Sequence, residues 1–180
     1  KCYNLMVNPE GAAGKFNFGN MEVPDVFLDE TVRRSTFNLR ATYARTANAL
    51  ARAGQTEKAI EVLNTATSKM PVSKLGYDYF SLGLIEGYYV AGDAESAKAM
   101  AEGFKTDIVQ RLDYFAQFKG KQARQVRSEV EANMQYLQML ARMNLQYTVG
   151  MALTQEAYQA DPMVQLYEKY AQQFGIQQQQ

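Results

Sequence analysis

The chain contains no histidine. That absence removes the commonest general base, every Ser-His or Cys-His nucleophile pair and all histidine metal ligation. The titratable groups that remain do not assemble into a reaction centre. Cys2, the lone cysteine, has only Lys1 as an activating neighbour, so no nucleophilic role is expected, and no internal disulfide can form. Asp25, Asp29 and Glu30 would suit a cation, yet the glycine and ligand spacing of a calcium loop is missing, and acids are ordinary at a helix start. Glu129 and Glu131 fall on a helix surface, where solvated charge is the default. Gly83 and Gly87 form no phosphate loop and read as a close helix contact. Lys119, Lys121, Arg124 and Arg127 are a basic cluster, but acids follow it directly and no aromatic residues interleave, which speaks against nucleic acid. No catalytic residue, cofactor or metal is expected, and what remains is a surface.

The elements that must carry that surface centre on residues 40–71, RATYARTANALARAGQTEKAIEVLNTATSKMP. Tyr43, Ala47 and Leu50 recur at helical spacing, as do Ala59, Leu63 and Ala66, so each set lines one helix face. Gly54 suits the left-handed turn between the two helices, and Pro71 stops the second. Small Ala47 and Ala59 let the backbones approach, with Tyr43, Leu50 and Leu63 filling the space around them. This pattern resembles one tetratricopeptide repeat. A weaker second copy follows, with Leu84, Tyr88, Gly92, Ala97 and Phe104 at the repeat positions. Its glycine lies 92 − 54 = 38 residues after the first, against a usual period of about 34. The difference places an insertion around Ser73 to Tyr77, and bulky Phe104 at a normally small position predicts a distorted hairpin.

The expected fold is all-α: a tetratricopeptide-like superhelix of about three antiparallel helix pairs with an irregular N-terminal arm. Residues 1–28, rich in glycine, asparagine and proline, are read as an extended arm pinned to the first hairpin by Tyr3, Leu5, Met6, Phe16 and Phe18. Residues 29–71 form the first hairpin, opened by Asp29 as N-cap, and 72–117 the second. Residues 118–174 form a degenerate third. Its first helix carries Val126, Val130, Met134, Leu137 and Leu140 as a capping stripe; its last begins at Asp161-Pro162 with Met163, Leu166, Tyr167, Tyr170 and Phe174 inward. The tail, 175–180, has no reason to order. One core is expected, since a chain of 180 residues with 47% hydrophobic content buries roughly 70% of its unfolded surface. Net charge is zero and the pI near 6.6, so nothing global draws the chain to nucleic acid or an anionic membrane. No apolar run approaches the ~20 residues of a membrane span. Beginning at Lys1 rather than methionine, the chain reads as a piece of something longer.

The run NFGNMEVPDVFLDETVRRSTFNLRATYARTANAL, then KAIEVLNTATSKMP and YDYFSLGLIEGYYVAGDAESA, resembles the C-terminal soluble region of the domain-of-unknown-function 2723 family. These are multi-span membrane proteins, abundant in Bacteroidetes and related to protein O-mannosyltransferases. The likeness covers Tyr3 to Tyr114 and extends loosely beyond; Phe18 stands where the family often has tryptophan, and Gly150 to Ala160 is idiosyncratic. The resemblance implies a glycosyltransferase-like parent whose catalytic carboxylate lies outside this segment. It also implies a location on the periplasmic side of the inner membrane. The partner would be a protein or peptide, or the parent's own membrane domain, with membrane attachment only through segments absent from this chain.

In repeat arrays the first helix of each pair lines the concave side, so Asn48, Arg52, Glu86 and Tyr89, with Tyr79 nearby, are expected to face a groove. A terminal-carboxylate clamp would need lysine where Ala44 stands, with only Asn48 matching. Two readings follow: a noncatalytic protein-protein interaction scaffold, and a sugar-binding accessory domain of the same transferase, for which the twelve tyrosines offer stacking rings.

Overall fold

The structure, a computed structural model, describes residues 2–7, 18–150 and 154–176. All regular structure among them is α-helical, with no strand. The chain divides into two compact units, residues 1–100 and 101–180. The boundary falls within one helix, whereas the sequence reading expected a single core whose hairpins end at residues 71, 117 and 174.

In the first unit, α1 (Cys2–Val7) packs on the hairpin that follows. Over these residues the expected extended arm is corrected to a helix. Six residues are too few to be helical by propensity alone. Tertiary contacts supply the difference: the Tyr3 hydroxyl donates to Glu61, and Met6 O accepts from the Tyr43 hydroxyl at 3.1 Å. Leu5, expected to pin the arm, is exposed, and Phe16 lies outside the described residues. From Phe18 onward the segment is irregular and tied down. Phe18 stands 6.0 Å from the Tyr43 ring, Thr36 Oγ1 donates to Met21 Sδ at 3.1 Å, and Lys69 pairs with Glu22 at 2.6 Å, holding the Glu22 carboxyl below its usual range.

The long helix α2 (Glu30–Arg52) starts where Asp29 accepts from Val32 N at 2.8 Å, satisfying an orphan amide. It ends at Gly54, whose φ of 76° lets Gln55 N donate back to Leu50 O at 2.9 Å. Next come α3 (Thr56–Lys69), the single turn α4 (Val72–Leu75) and α5 (Tyr79–Val90). Gly92 repeats the same stop, with Asp93 N donating to Tyr88 O at 2.9 Å. Tyr43, Ala47, Ala59, Leu63 and Ala66 are all buried, whereas Leu50 is half-exposed and Ala44 and Ala51 are buried beside it. α2 packs against both α3 and α5. The Tyr88 hydroxyl on α5 reaches Asn64 Oδ1 on α3 at 2.9 Å.

The connection between α3 and α5 is organised by Arg40, whose side chain is 0% exposed. Its guanidinium donates to Met70 O at 2.8 Å, to Gly76 O at 2.8 Å and to Asp78 Oδ2 at 2.9 Å, drawing the ends of the α3 to α5 connection together. Asp78 also caps α5 in a reciprocal box with Ser81. Burial pulls the Arg40 pKa down and Asp78 pulls it back; an arginine keeps its charge through that contest at neutral pH.

Burial pushes the Tyr43 hydroxyl up to about 12 from 10.0. Between those values the folded state holds a proton that the unfolded chain has released, so stability is full below pH 10 and falls as pH rises towards about 12. In urea titrations across this window Tyr43→Phe should flatten the loss, and tyrosinate absorbance should show one fewer late-titrating residue. An unchanged slope would show that Tyr43 does not drive it.

α6 (Ala94–Phe115) opens where Asp93 accepts from Ser96 N at 3.0 Å, and it buries Ala97, Ala101, Phe104, Ile108 and Leu112 along one stripe. The second unit takes its C-terminal part together with α7 (Gly120–Gln125), α8 (Arg127–Thr148), α9 (Gln155–Ala160) and α10 (Pro162–Phe174). α8 and α10 pack on each other. Val130, Met134, Leu137 and Leu140 are buried and Val126 is half-buried. The Phe104 ring sits 5.7 Å from Tyr136, and the Tyr170 hydroxyl donates to Asp113 Oδ1 at 2.7 Å, which with burial raises its pKa. Asp161 accepts from Met163 N at 2.8 Å and Val164 N at 3.1 Å to cap α10. Val164 and Ala171 are buried along with Met163 and Tyr170, while Leu166, Tyr167 and Phe174, expected inward, are half-buried. At the other end Gly175 and Ile176 close the helix, Ile176 N donating to Ala171 O at 2.9 Å, so the expected loose tail does not begin at 175; residues 177–180 lie outside the described ones.

Candidate functional site

The face shared by α2 and α5 is close-packed at its floor. A Cβ on Gly83 would meet Ala44 Cβ at 3.2 Å, and one on Gly87 would meet Leu63 Cδ2 at 2.9 Å and Cδ1 at 3.3 Å. Asn48 Nδ2 donates to Ala44 O at 2.9 Å and crosses to Gly83 O at 3.1 Å. Gly87→Ala should therefore cost about 1–2 kcal/mol in urea unfolding, because Leu63 is fully buried in a close-packed core and overpacking outweighs the helix-propensity gain. Leu63→Val in that background should recover part of it; a neutral Gly87→Ala would mean that α3 and α5 part freely.

The five residues expected in the groove divide. Asn48 is committed to the seam, and Tyr89 is 8% exposed with its pKa raised by burial, so neither is a free ligand contact. Arg52 and Glu86 face each other at 3.6 Å, with side chains 69% and 39% exposed. Solvent screens such a pair to at most about 1 kcal/mol, and both groups remain open to a partner. Tyr79 is 54% exposed, its ring edge-on to Phe80 at 5.7 Å. Sequence reasoning missed Phe27, 89% exposed in the irregular segment, because an aromatic residue in a turn-rich stretch reads as an anchor.

The carboxylates near the start of α2 are in use: Asp29 caps the helix and Glu30 pairs with Arg34 at 3.0 Å. In the basic cluster Arg127 pairs with Glu131 at 2.8 Å, and Glu129 accepts from Ser128 Oγ at 2.8 Å. Among the described residues no group of cysteine and carboxylate side chains could hold a metal, and no helix is long and apolar enough to cross a membrane. The Cys2 side chain lies outside the described residues.

The second unit has a cleft between α8 and α10, about 380 Å³ in volume, lined by Arg127, Glu131, Met134, Gln135, Gln138, Tyr167 and Ile176. Nothing in the sequence joins these positions, which come together only when α10 packs on α8. In comparisons with known proteins, no family model matches the chain, and no match is found to a curated protein or to a solved structure.

Proposed function

We propose that the chain is a noncatalytic protein-protein interaction scaffold of tetratricopeptide-like hairpins. Its place is the periplasmic C-terminal domain of a membrane-embedded transferase related to protein O-mannosyltransferases, where it positions an acceptor or partner subunit. The observation that carries this reading is the α2 and α5 face. Its floor is sealed by the side chains of Ala44, Asn48 and Leu63 lying against Gly83 and Gly87, and it presents Arg52, Glu86 and Tyr79 rather than any reactive group. A docking platform of this kind raises the local concentration of its partner, to the millimolar range for a short tether, and so promotes a reaction performed elsewhere.

The test is a photocrosslinker placed at residue 86 of the full-length protein in cells. One discrete partner should be trapped, and lost on Arg52→Glu. A crosslinking pattern identical to that from exposed Gln110, or one indifferent to the charge reversal, would overturn the reading. A second reading, a sugar-binding accessory domain of the same transferase, is favoured by the cleft between α8 and α10.

A further inference from the structure

We infer that the cleft between α8 and α10 binds a neutral, hydroxyl-rich small molecule, one or two sugar rings in size. This rests on the second reading above and is independent of the scaffold reading, whose residues lie in the other unit. The volume, about 380 Å³, falls in the range of roughly 300–1,000 Å³ typical of small-ligand sites. Arg127, Glu131, Gln135 and Gln138 follow at steps of four, four and three along α8, which puts all four on one face. Buried Met134 on the same helix, Tyr167 of α10 and Ile176 complete the lining.

Charge and hydrogen-bonding capacity select the ligand. Arg127 Nε bonds Glu131 Oε1 at 2.8 Å, so the pair cancels: an anion meets Glu131 and a cation meets Arg127, each at a cost. The guanidinium keeps further N–H donors, the carboxylate keeps a second acceptor oxygen, and each glutamine amide offers both kinds of group. A hydrocarbon would use none of these groups, which are exposed or half-exposed and would stay hydrated. A sugar hydroxyl both donates and accepts, and a sugar ring has an apolar C–H face that can lie on the Tyr167 ring.

The test is an NMR titration of the isotope-labelled chain with methyl α-mannoside, methyl β-glucoside, N-acetylglucosamine and maltose, with inorganic phosphate and a neutral hexapeptide as contrasts. At least one sugar should give saturable shifts centred on Gln135, Gln138 and Tyr167. Tyr167→Ala should weaken it roughly tenfold, Tyr167→Phe should retain it, and Glu131→Gln should weaken it with an unchanged melting temperature. Shifts with no sugar, shifts centred elsewhere, or stronger binding of phosphate or peptide would each overturn the inference. Arg52→Glu should leave sugar binding intact, so loss of the crosslinked partner and loss of the sugar are separable results.

Discussion

Ala59→Asp should abolish the cooperative melt of the first unit at neutral pH. Ala59 has no exposed surface, and neither do Ala47, Val62 and Leu63. A carboxylate placed there loses its water and gains no designed partner. An unpaired buried charge costs several kcal/mol, comparable with the whole stability of an ordinary domain, about 5–15 kcal/mol. Burial disfavours the carboxylate and raises its folded-state pKa above the unfolded value of about 3.9, so the variant's escape is protonation. The folded state then binds more protons than the unfolded one, so the deficit should shrink as pH falls from that raised pKa towards 3.9. Ala59→Ser, adding one hydroxyl, should melt between wild type and the aspartate variant. Circular dichroism melts at neutral and mildly acid pH decide the matter: a wild-type curve for Ala59→Asp would place α3 in a different register.

Arg40→Ala should cost about 3–5 kcal/mol in urea unfolding. The deletion leaves Met70 O, Gly76 O and the Asp78 carboxylate without the donor that joins them, and opens a void where a fully buried side chain stood. Arg40→Lys brings one ammonium to a place where a planar fork serves three acceptors, so it should recover only part of the loss. Arg40→Met restores volume without hydrogen bonds and should fall between alanine and wild type. Asp78→Asn separates charge from capping, since an amide oxygen still accepts from Ser81 N while the ion pair is gone. A loss below about 1 kcal/mol for Arg40→Ala would mean the connection between α3 and α5 holds itself in place.

The first hairpin was legible because each of its signals is local. Tyr43, Ala47, Ala59 and Leu63 repeat at the helical period, and Gly54 sits where a left-handed residue is needed; the start of α10 was legible in the same way, since Asp161-Pro162 announces a helix start by chemistry alone. The four shortest helices, α1, α4, α7 and α9, were not legible, since at four to six residues packing rather than propensity decides them. Arg40 did leave a signal: it falls on the same stripe as Thr36, Tyr43 and Ala47, and a cation on an apolar face asks for buried acceptors. The groove was half legible. Helical periodicity put Asn48 and Tyr89 on the face towards the neighbouring helix, but it does not distinguish the rim of a seam from its floor. The α8 and α10 cleft left no such trace, because Arg127 and Ile176 lie far apart in sequence and meet only through packing.

Among the described residues the main helix contacts within the first unit join helices that follow one another closely in chain order: α1 with α2 and α3, α2 with α3 and α5, α3 with α5. Topologies of this kind close short loops first and fold within microseconds to milliseconds, far faster than a ribosome adds residues at roughly 5–20 per second. The unit should therefore reach its final form while the polypeptide is still being made. The residues that follow would then emerge beside an already finished neighbour.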